Sequence, residues 1–167
     1  LKVIGNTTPR YQYGITANLG YKNIYMNIFF QGIGKRDYWP SSQPFWPVAT
    51  QYYNTQKWFV TDSWSEDNRD AYFARPIARE TKNQQKQTKY LQDASYCRLK
   101  NLSVGYDFPT NWTNFLHLSK ASIYFSAENL FEFTNVKGAY DPEAAGKNGT
   151  MVYPFQRTYS FGLNVTF

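Results

Sequence analysis

Hydrophobic and polar residues alternate strictly along the last thirteen positions of the chain, 155–167. In an extended conformation, one side of this stretch carries Phe155, Tyr159, Phe161, Leu163, Val165 and Phe167, and the other carries Gln156, Thr158, Ser160, Gly162, Asn164 and Thr166. A bilayer core requires about 9 to 11 residues from a strand tilted by about 45°. The pattern therefore predicts a transmembrane β-strand with an apolar side toward lipid and a polar side toward a barrel lumen.

The same period of two recurs in four earlier segments and predicts an all-β, antiparallel fold. The five predicted strands lie near 10–20, 23–32, 95–108, 120–131 and 155–167. Short connections alternate with long loops at 33–94 and 132–154, and this asymmetry is typical of outer-membrane barrels, whose long loops are extracellular. Asn129 breaks the alternation in the fourth strand, and a bulge that turns Leu130 outward is left open.

Five strands are too few to close a transmembrane barrel. Bacterial single-chain barrels have an even number of strands, from about eight upward, and an open edge in lipid costs several kcal/mol for each unpaired backbone group. The chain is therefore predicted to contain the last five or so strands of a larger barrel. No basic and apolar leader precedes the first strand, so the sequence is expected to be either mature or cut from a longer one.

Composition excludes several functional classes. The chain has 167 residues with a net charge of +6, and its 18 Lys and Arg residues are scattered without a nucleic-acid motif, so no nucleic-acid partner is expected. Cys97 and His117 are the only residues of their types, which excludes an internal disulfide, a cysteine-rich metal site and a histidine-based triad. Anionic lipid headgroups account for the positive charge at least as well as nucleic acid does.

The loop 33–94 has no periodicity but is rich in aromatic residues, which argues against disorder. It contains four of the five tryptophans of the chain: Trp39, Trp46, Trp58 and Trp64. Three interpretations stay open, because these rings can form a small core of the loop, contact a partner protein that covers the barrel, or stack on a substrate.

Arg98 and Lys100 share their parity with the apolar residues Leu102 and Val104. One interpretation puts both cations near the outer membrane interface, where they would contact lipopolysaccharide phosphates. The alternative is a bulge that turns both of them toward the lumen and sends Leu99 outward.

No catalytic, metal or cofactor site is predicted. Asp107 and Glu128 lie on polar strand faces that a barrel interior needs in any case, and Asp141 and Glu143 belong to turn chemistry without a full ligand set. The terminal Phe167 fits an aromatic girdle at a membrane interface. It also resembles the carboxy-terminal aromatic residue that outer-membrane proteins present to the barrel-assembly machinery, which predicts a role as an assembly signal.

Several segments resemble one family from end to end of the chain and in the same order. They are VIGNTTPRYQYG at 3–14, TKYLQDASYCRLKNLSVGY at 88–106, SAENLF at 126–131, YDPE at 140–143 and YPFQRTYSFGLNVTF at 153–167. The chain resembles the carboxy-terminal part of the SusC/RagA-like TonB-dependent outer-membrane transporters of Bacteroidetes. Cys97, where the family usually has a larger apolar residue, and Ala74, where it often has proline, depart from the pattern.

The resemblance implies a multi-pass, 22-stranded outer-membrane barrel with a plug domain outside this chain. It also implies a SusD-like surface lipoprotein as partner and import powered through TonB, which would act on the missing plug region. The expected substrates are large nutrients, oligosaccharides first and oligopeptides otherwise, with no enzymatic step and no cofactor. The alternatives are a passive porin, an adhesin-like barrel or a soluble carbohydrate-binding β-sandwich.

Overall fold

The computed structural model describes residues 2–49, 54–137, 141–144 and 155–167. The chain divides into two compact units. The loop unit comprises Leu1–Thr8, Arg36–Ala94 and Asn135–Tyr153, and the sheet unit comprises Pro9–Lys35, Ser95–Thr134 and Pro154–Phe167.

Most of the regular structure is β-strand. The strands are β1 (Tyr11–Tyr21), β2 (Ile24–Gly34), β3 (Asp37–Tyr38), β4 (Gln92–Asp93), β5 (Tyr96–Asp107), β6 (Lys120–Glu128), β7 (Glu132–Thr134) and β8 (Thr158–Thr166). The α-helices are α1 (Lys57–Thr61) and α2 (Thr110–Phe115). Short 3₁₀ turns lie at Pro47–Ala49, Lys82–Gln84, Thr88–Tyr90 and Pro142–Ala144. Within the described residues, no helix has the length and apolar character needed to cross a membrane.

The sheet unit is one antiparallel sheet with the strand order β1-β2-β5-β6-β8. Its register places apolar residues opposite one another: Leu102 of β5 lies between Ile28 of β2 and Ala127 of β6. Cross-strand partners point to the same face of a sheet, so the period of two in each strand adds up to one apolar face and one polar face. We call these two surfaces the apolar face and the polar face.

The predicted strand near 120–131 ends earlier in the structure, and a second, short strand follows it. β6 ends at Glu128, Asn129 has a left-handed φ of 53°, and the chain then returns to β5 as β7. The long loop predicted at 132–154 therefore begins with three residues of strand. Asparagine tolerates this backbone region better than most residues do, because its short side chain forms local hydrogen bonds.

A second irregularity lies opposite Asn129 and corrects the predicted placement of Arg98. Phe29 pairs with Asn101 but Phe30 pairs with Leu99, so that Lys100 is an extra residue in β5. The carbonyl of Lys100 instead accepts the backbone N–H of Asn129 at 3.0 Å. Beyond this bulge Leu99 continues the apolar face and Arg98 joins the polar face, which agrees with the alternative interpretation for these two residues.

The loop unit has its own aromatic core rather than a regular sheet. The buried residues of this core are Phe45, Trp46, Phe59, Phe73 and Tyr90. The two-residue strands β3 and β4 pair with each other, and the backbone at Ser63 forms an isolated bridge with Phe73. This packing, not strand periodicity, orders the segment that the sequence predicts only as a long loop.

Candidate functional site

The apolar face leaves large side chains exposed across several strands. The exposed fraction is 83% for Phe161 and 64% for Leu163 in β8, and 58% for Ile15 in β1. An open groove of ≈ 920 Å³ runs over this face, lined in part by Ile24, Leu102, Val104, Phe125, Phe161 and Leu163. Soluble monomers rarely expose contiguous apolar surface on this scale, so this face requires a non-aqueous neighbour.

The polar face contains a row in which glycine and tyrosine alternate across five strands. The order across the sheet is Gly20, Tyr25, Gly105, Tyr124 and Gly162. A Cβ atom added to Gly105 would overlap the Tyr25 ring, and one added to Gly162 would overlap the Tyr124 ring. The tyrosine rings therefore lie over the neighbouring strands, where they cover the backbone that the glycines leave exposed. Period-two patterns do not reveal this row, because it depends on the register between strands.

Arg98 is buried on the polar face and bound to Glu132 of β7. Its guanidinium Nε donates to Glu132 Oε2 at 2.9 Å, a second N–H reaches the same carboxylate, and the side chain of Arg98 is only 4% exposed. The guanidinium carbon also lies 5.0 Å from the centre of the Phe155 ring. Lys100 is half-buried, and its Nζ lies 4.4 Å from the same ring centre. Lipopolysaccharide contact by Lys100 stays a prediction, whereas the burial of Arg98 removes the geometric basis for its own contact.

The four loop tryptophans do not share one environment. Trp46 is 6% exposed, and its indole N–H donates to the carbonyl of Pro40 at 2.7 Å, so the core interpretation is confirmed for this residue. Trp39 and Trp58 are half-buried and pack against the core, and the Trp58 indole donates to Gln56 Oε1. Trp64 is also half-buried but lies outside the core cluster. Contact of these rings with a partner or substrate stays a prediction.

Two tyrosines of the loop unit have perturbed acidity. Burial raises the pKa of Tyr90, and the backbone N–H of Ala74, which donates to its hydroxyl at 3.2 Å, offsets part of this effect. Burial also raises the pKa of Tyr72, against a smaller opposing effect from the side chain of Gln92. The ammonium of Lys137 lies 4.1 Å from the centre of the Tyr72 ring. Both phenols are therefore neutral at physiological pH.

Phe167 and the acidic residues complete the set of residues that the sequence analysis singles out. Phe167 is 90% exposed at the end of β8. Asp107 lies 3.6 Å from the ammonium of Lys120, an exposed pair at the end of the sheet. In the part of the chain that the structure describes, no three His, Cys, Asp or Glu side chains come close enough together to bind a metal ion.

These observations define the class of the sheet unit. It is a segment of a β-barrel of the outer-membrane type, because its strands are antiparallel, one face is apolar and exposed, and the opposite face is polar.

Comparisons with known proteins show which proteins this chain is similar to. No family model matches it. The chain is 34% identical over 179 aligned positions to TonB-dependent receptor P3 of Formosa agariphila, an alignment that covers 99% of this chain and 17% of the relative. TonB-dependent receptor P26 of the same organism is 26% identical, with 99% of this chain and 18% of the relative covered.

Solved structures give the same result. The RagAB peptide importer in its open-open state superposes with a TM-score of 0.76 and 26% identity, over 99% of this chain and 18% of that one. The closed-closed state gives 0.76 and 27%. The chain is thus recognised as the carboxy-terminal portion of a SusC/RagA-like TonB-dependent barrel, and these matches imply an outer-membrane location. The relatives are receptors and importers rather than enzymes.

Proposed function

We propose that the complete protein imports large nutrients across the outer membrane in a TonB-dependent process, together with a SusD-like surface lipoprotein. The observation that carries this proposal is the similarity of 99% of the chain to a TonB-dependent receptor and to a peptide importer, although the chain spans only 17% and 18% of their lengths. We propose no enzymatic step for this portion and assign no cofactor to it.

The proposed barrel includes the sheet unit as one part of its wall, and other strands complete it. Among the described residues β1 and β8 are the edges of the sheet, and each has one paired neighbour. An unpaired edge in hydrocarbon costs several kcal/mol per backbone group, so further strands must pair with both edges. We propose that the barrel has 22 strands, that the wall crosses the membrane several times, and that the polar face lines the lumen around the plug domain.

The loop unit supports a role outside the membrane. We propose that it is extracellular, because its core is buried in the manner of a water-soluble domain while α1 exposes 63% of Val60 and leaves Trp58 only partly buried. Half-buried tryptophans offer a large rigid surface with a polar N–H group, which suits either a lipoprotein partner or a sugar ring. Trp39, Trp58 and Trp64 are the candidates, whereas Trp46 lies in the interior.

The substrate class has two candidates. The composition of the loops favours oligosaccharides, since aromatic rings stack on sugar faces, and the likeness to RagAB, described as a peptide importer, favours oligopeptides. Uptake of fluorescent oligosaccharides and fluorescent oligopeptides by cells that carry or lack the full-length gene distinguishes the two. Loss of uptake for one class upon deletion, with recovery upon complementation, identifies the substrate.

The passive alternatives are tested in the same cells. A TonB-dependent importer stops when a protonophore collapses the inner-membrane gradient, whereas a porin continues to equilibrate its solute. Uptake that survives the protonophore would exclude our proposal in favour of a porin, and unchanged uptake in the deletion strain would favour an adhesin-like role.

The tryptophan contacts are tested with Trp58→Ala and Trp64→Ala in the full-length protein. We expect lower uptake with unchanged surface expression, because each change removes an accessible ring. Trp46→Ala is the matched control and should reduce expression, since loss of a buried aromatic side chain costs about 3–5 kcal/mol. Reduced expression of the Trp58 and Trp64 variants would assign these rings to the core.

Phe167 is proposed as part of the assembly signal. Deletion of this single residue should lower the yield of heat-resistant barrel in the outer membrane, and replacement by Tyr should preserve it because the ring remains. Normal assembly of the deletion variant would contradict the assignment.

A further inference from the structure

The connection between β5 and β6 contains an apolar surface that the barrel wall does not require. In α2 and the residue that caps it, Trp112 is 63% exposed, Phe115 is 83% exposed and Leu116 is 62% exposed. Residues spaced by three and four positions share one side of a helix. On a different side of the helix, Thr113 is only 3% exposed, and its hydroxyl donates to the carbonyl of Thr110 at 3.2 Å. The helix thus has an inner side that is anchored and an outer side that is apolar.

The two ends of α2 are fixed by backbone hydrogen bonds. The carbonyl of Pro109 accepts the N–H of Trp112 at 2.9 Å. At the other end, the N–H of Leu118 donates to the carbonyl of Thr113 at 2.9 Å, and the N–H of His117 donates to the carbonyl of Asn114 at 3.1 Å. His117 has a left-handed φ of 57°. This pair of bonds with a left-handed residue is a Schellman motif, which terminates the helix at a defined position. The three apolar side chains are therefore held in place on an ordered turn.

A chain of aromatic rings connects α2 to the apolar face. Tyr106 lies in β5 between Ile24 and Ile123, within that face. The ring of Phe108 lies 5.6 Å from that of Tyr106 and 6.2 Å from that of Trp112, in the second case nearly parallel at 25°. The apolar surface therefore continues from the strands onto the helix without interruption.

We infer that α2 is an interfacial anchor, whose outer side inserts into the headgroup region of a phospholipid bilayer at the short-connection end of the sheet. The inference rests on the proposed function, because it requires the apolar face to meet lipid. Three features favour lipid over a protein surface: the continuity with the apolar face, the tryptophan ring that suits a membrane interface, and exposed Asn111 and Asn114 beside the apolar side.

The test measures the fluorescence of Trp112 in the full-length protein reconstituted into phosphatidylcholine bilayers, with or without bromine atoms on the upper acyl carbons. The emission of Trp112 is obtained as the difference between the unchanged protein and Trp112→Phe. We expect brominated lipid to remove about half or more of this emission, because an interfacial helix buries its apolar side about 5–10 Å below the headgroups. Trp64, isolated in the same way with Trp64→Phe, is the matched control and should be unaffected.

Two further variants make the result decisive. Phe115→Ser combined with Leu116→Ser should reduce quenching of Trp112, while heat-resistant migration verifies that the barrel is folded. Phe161→Trp places a reporter in the middle of the apolar face, and its quenching tests whether that face meets lipid at all.

Quenching of both reporters supports the anchor. Quenching of the Phe161→Trp reporter without quenching of Trp112 overturns the anchor but leaves the proposed barrel intact. Absence of quenching at both overturns the proposed function as well. Strong quenching of Trp112 by aqueous iodide, with no effect of brominated lipid, also contradicts the inference, because α2 then faces water or a partner protein lost on purification.

Discussion

The loop unit and the sheet unit use the same residue types in opposite ways. Phe45 and Phe73 of the loop unit are 0% and 1% exposed, whereas Phe161 and Phe167 of the sheet unit are 83% and 90% exposed. One unit packs its aromatic residues inward around a core, and the other presents them outward on a single-layer sheet. Aromatic content therefore does not indicate burial, since each region is built for a different surrounding solvent.

The difference extends to how each unit is held together. Aromatic rings of the loop unit contact one another from several directions, as where the ring centre of Phe45 lies 4.9 Å from Trp46 and 5.3 Å from Phe73. The sheet unit is held by strand ladders, and most of its aliphatic side chains lie along one face. Core substitutions should therefore destabilise the loop unit, while substitutions that change polarity should destabilise the sheet unit. The following predictions test this contrast.

The largest effect is expected for Phe73→Ala in the loop unit. Removal of this buried ring should lower the free energy of unfolding of the loop unit by about 3–5 kcal/mol, because it leaves a cavity among aromatic neighbours. Limited proteolysis of intact cells measures the effect as faster cleavage within 36–94. Val60→Ala, at a site that is 63% exposed, is the control and should change little. Equal cleavage of the two variants would show that the aromatic cluster is not a true core.

Phe161→Lys should be the most damaging surface change in the sheet unit. A lysine that faces the middle of a bilayer costs about 2–4 kcal/mol, so the yield of folded barrel should fall. Ser160→Lys, at the neighbouring position on the polar face, is the matched control and should stay within about 0.5 kcal/mol. Heat-resistant migration of the full-length protein measures both. A reversed order would mean that the two faces have been assigned to the wrong surroundings.

Glu132→Ala should destabilise the sheet unit by about 1–3 kcal/mol. This change leaves the buried guanidinium of Arg98 without its carboxylate, and the effect stays moderate because the side chain of Glu132 is 33% exposed. Lys120→Ala breaks the exposed pair with Asp107 and should cost at most about 1 kcal/mol. Urea denaturation of the reconstituted barrel compares the two. Equal losses would indicate that the bulge, rather than the ion pair, holds β7.

The smallest effect is a dependence on alkaline pH confined to the loop unit. Because burial raises the pKa of Tyr72 and Tyr90 above the ordinary value of 10.0, folding favours their neutral forms. This contribution is fully present below pH 10.0 and is lost as the pH rises through the folded-state pKa values. Proteolysis of the loop unit should therefore accelerate only above this range. Combined Tyr72→Phe and Tyr90→Phe should remove the dependence, and a dependence that persists would assign it to other groups.

Much of the sheet was predictable because its faces follow from local alternation. The strand predicted at 155–167 corresponds to β8, and the strands predicted near 10–20 and 23–32 correspond to β1 and β2 within two residues. The predicted partition of Leu102 and Val104 from Asn101 and Ser103 also matches the observed faces. Side chains of a strand alternate with a period of two whatever lies beside it, so a single segment carries this information.

The sites were less predictable, because they depend on contacts between distant segments. The alternation of the sequence places Arg98 on the apolar face, but the extra residue Lys100 moves Arg98 to the polar face. The carboxylate that binds Arg98 belongs to Glu132, which lies 34 positions away in the sequence. The core position of Trp46 likewise requires Phe73 and Tyr90, which no local pattern connects to it.

By itself, the amino-acid sequence determined that this chain forms antiparallel strands with one apolar and one polar side, since alternation is a local property that the backbone geometry enforces. Only the tertiary structure decided the register, and with it the bulge at Lys100, the tyrosines that lie over Gly105 and Gly162, and the burial of Arg98. It also decided which aromatic residues form the core of the loop unit and which ones face outward. The physical reason is that register and packing are properties of pairs of segments, and a chain specifies them only once its distant parts meet.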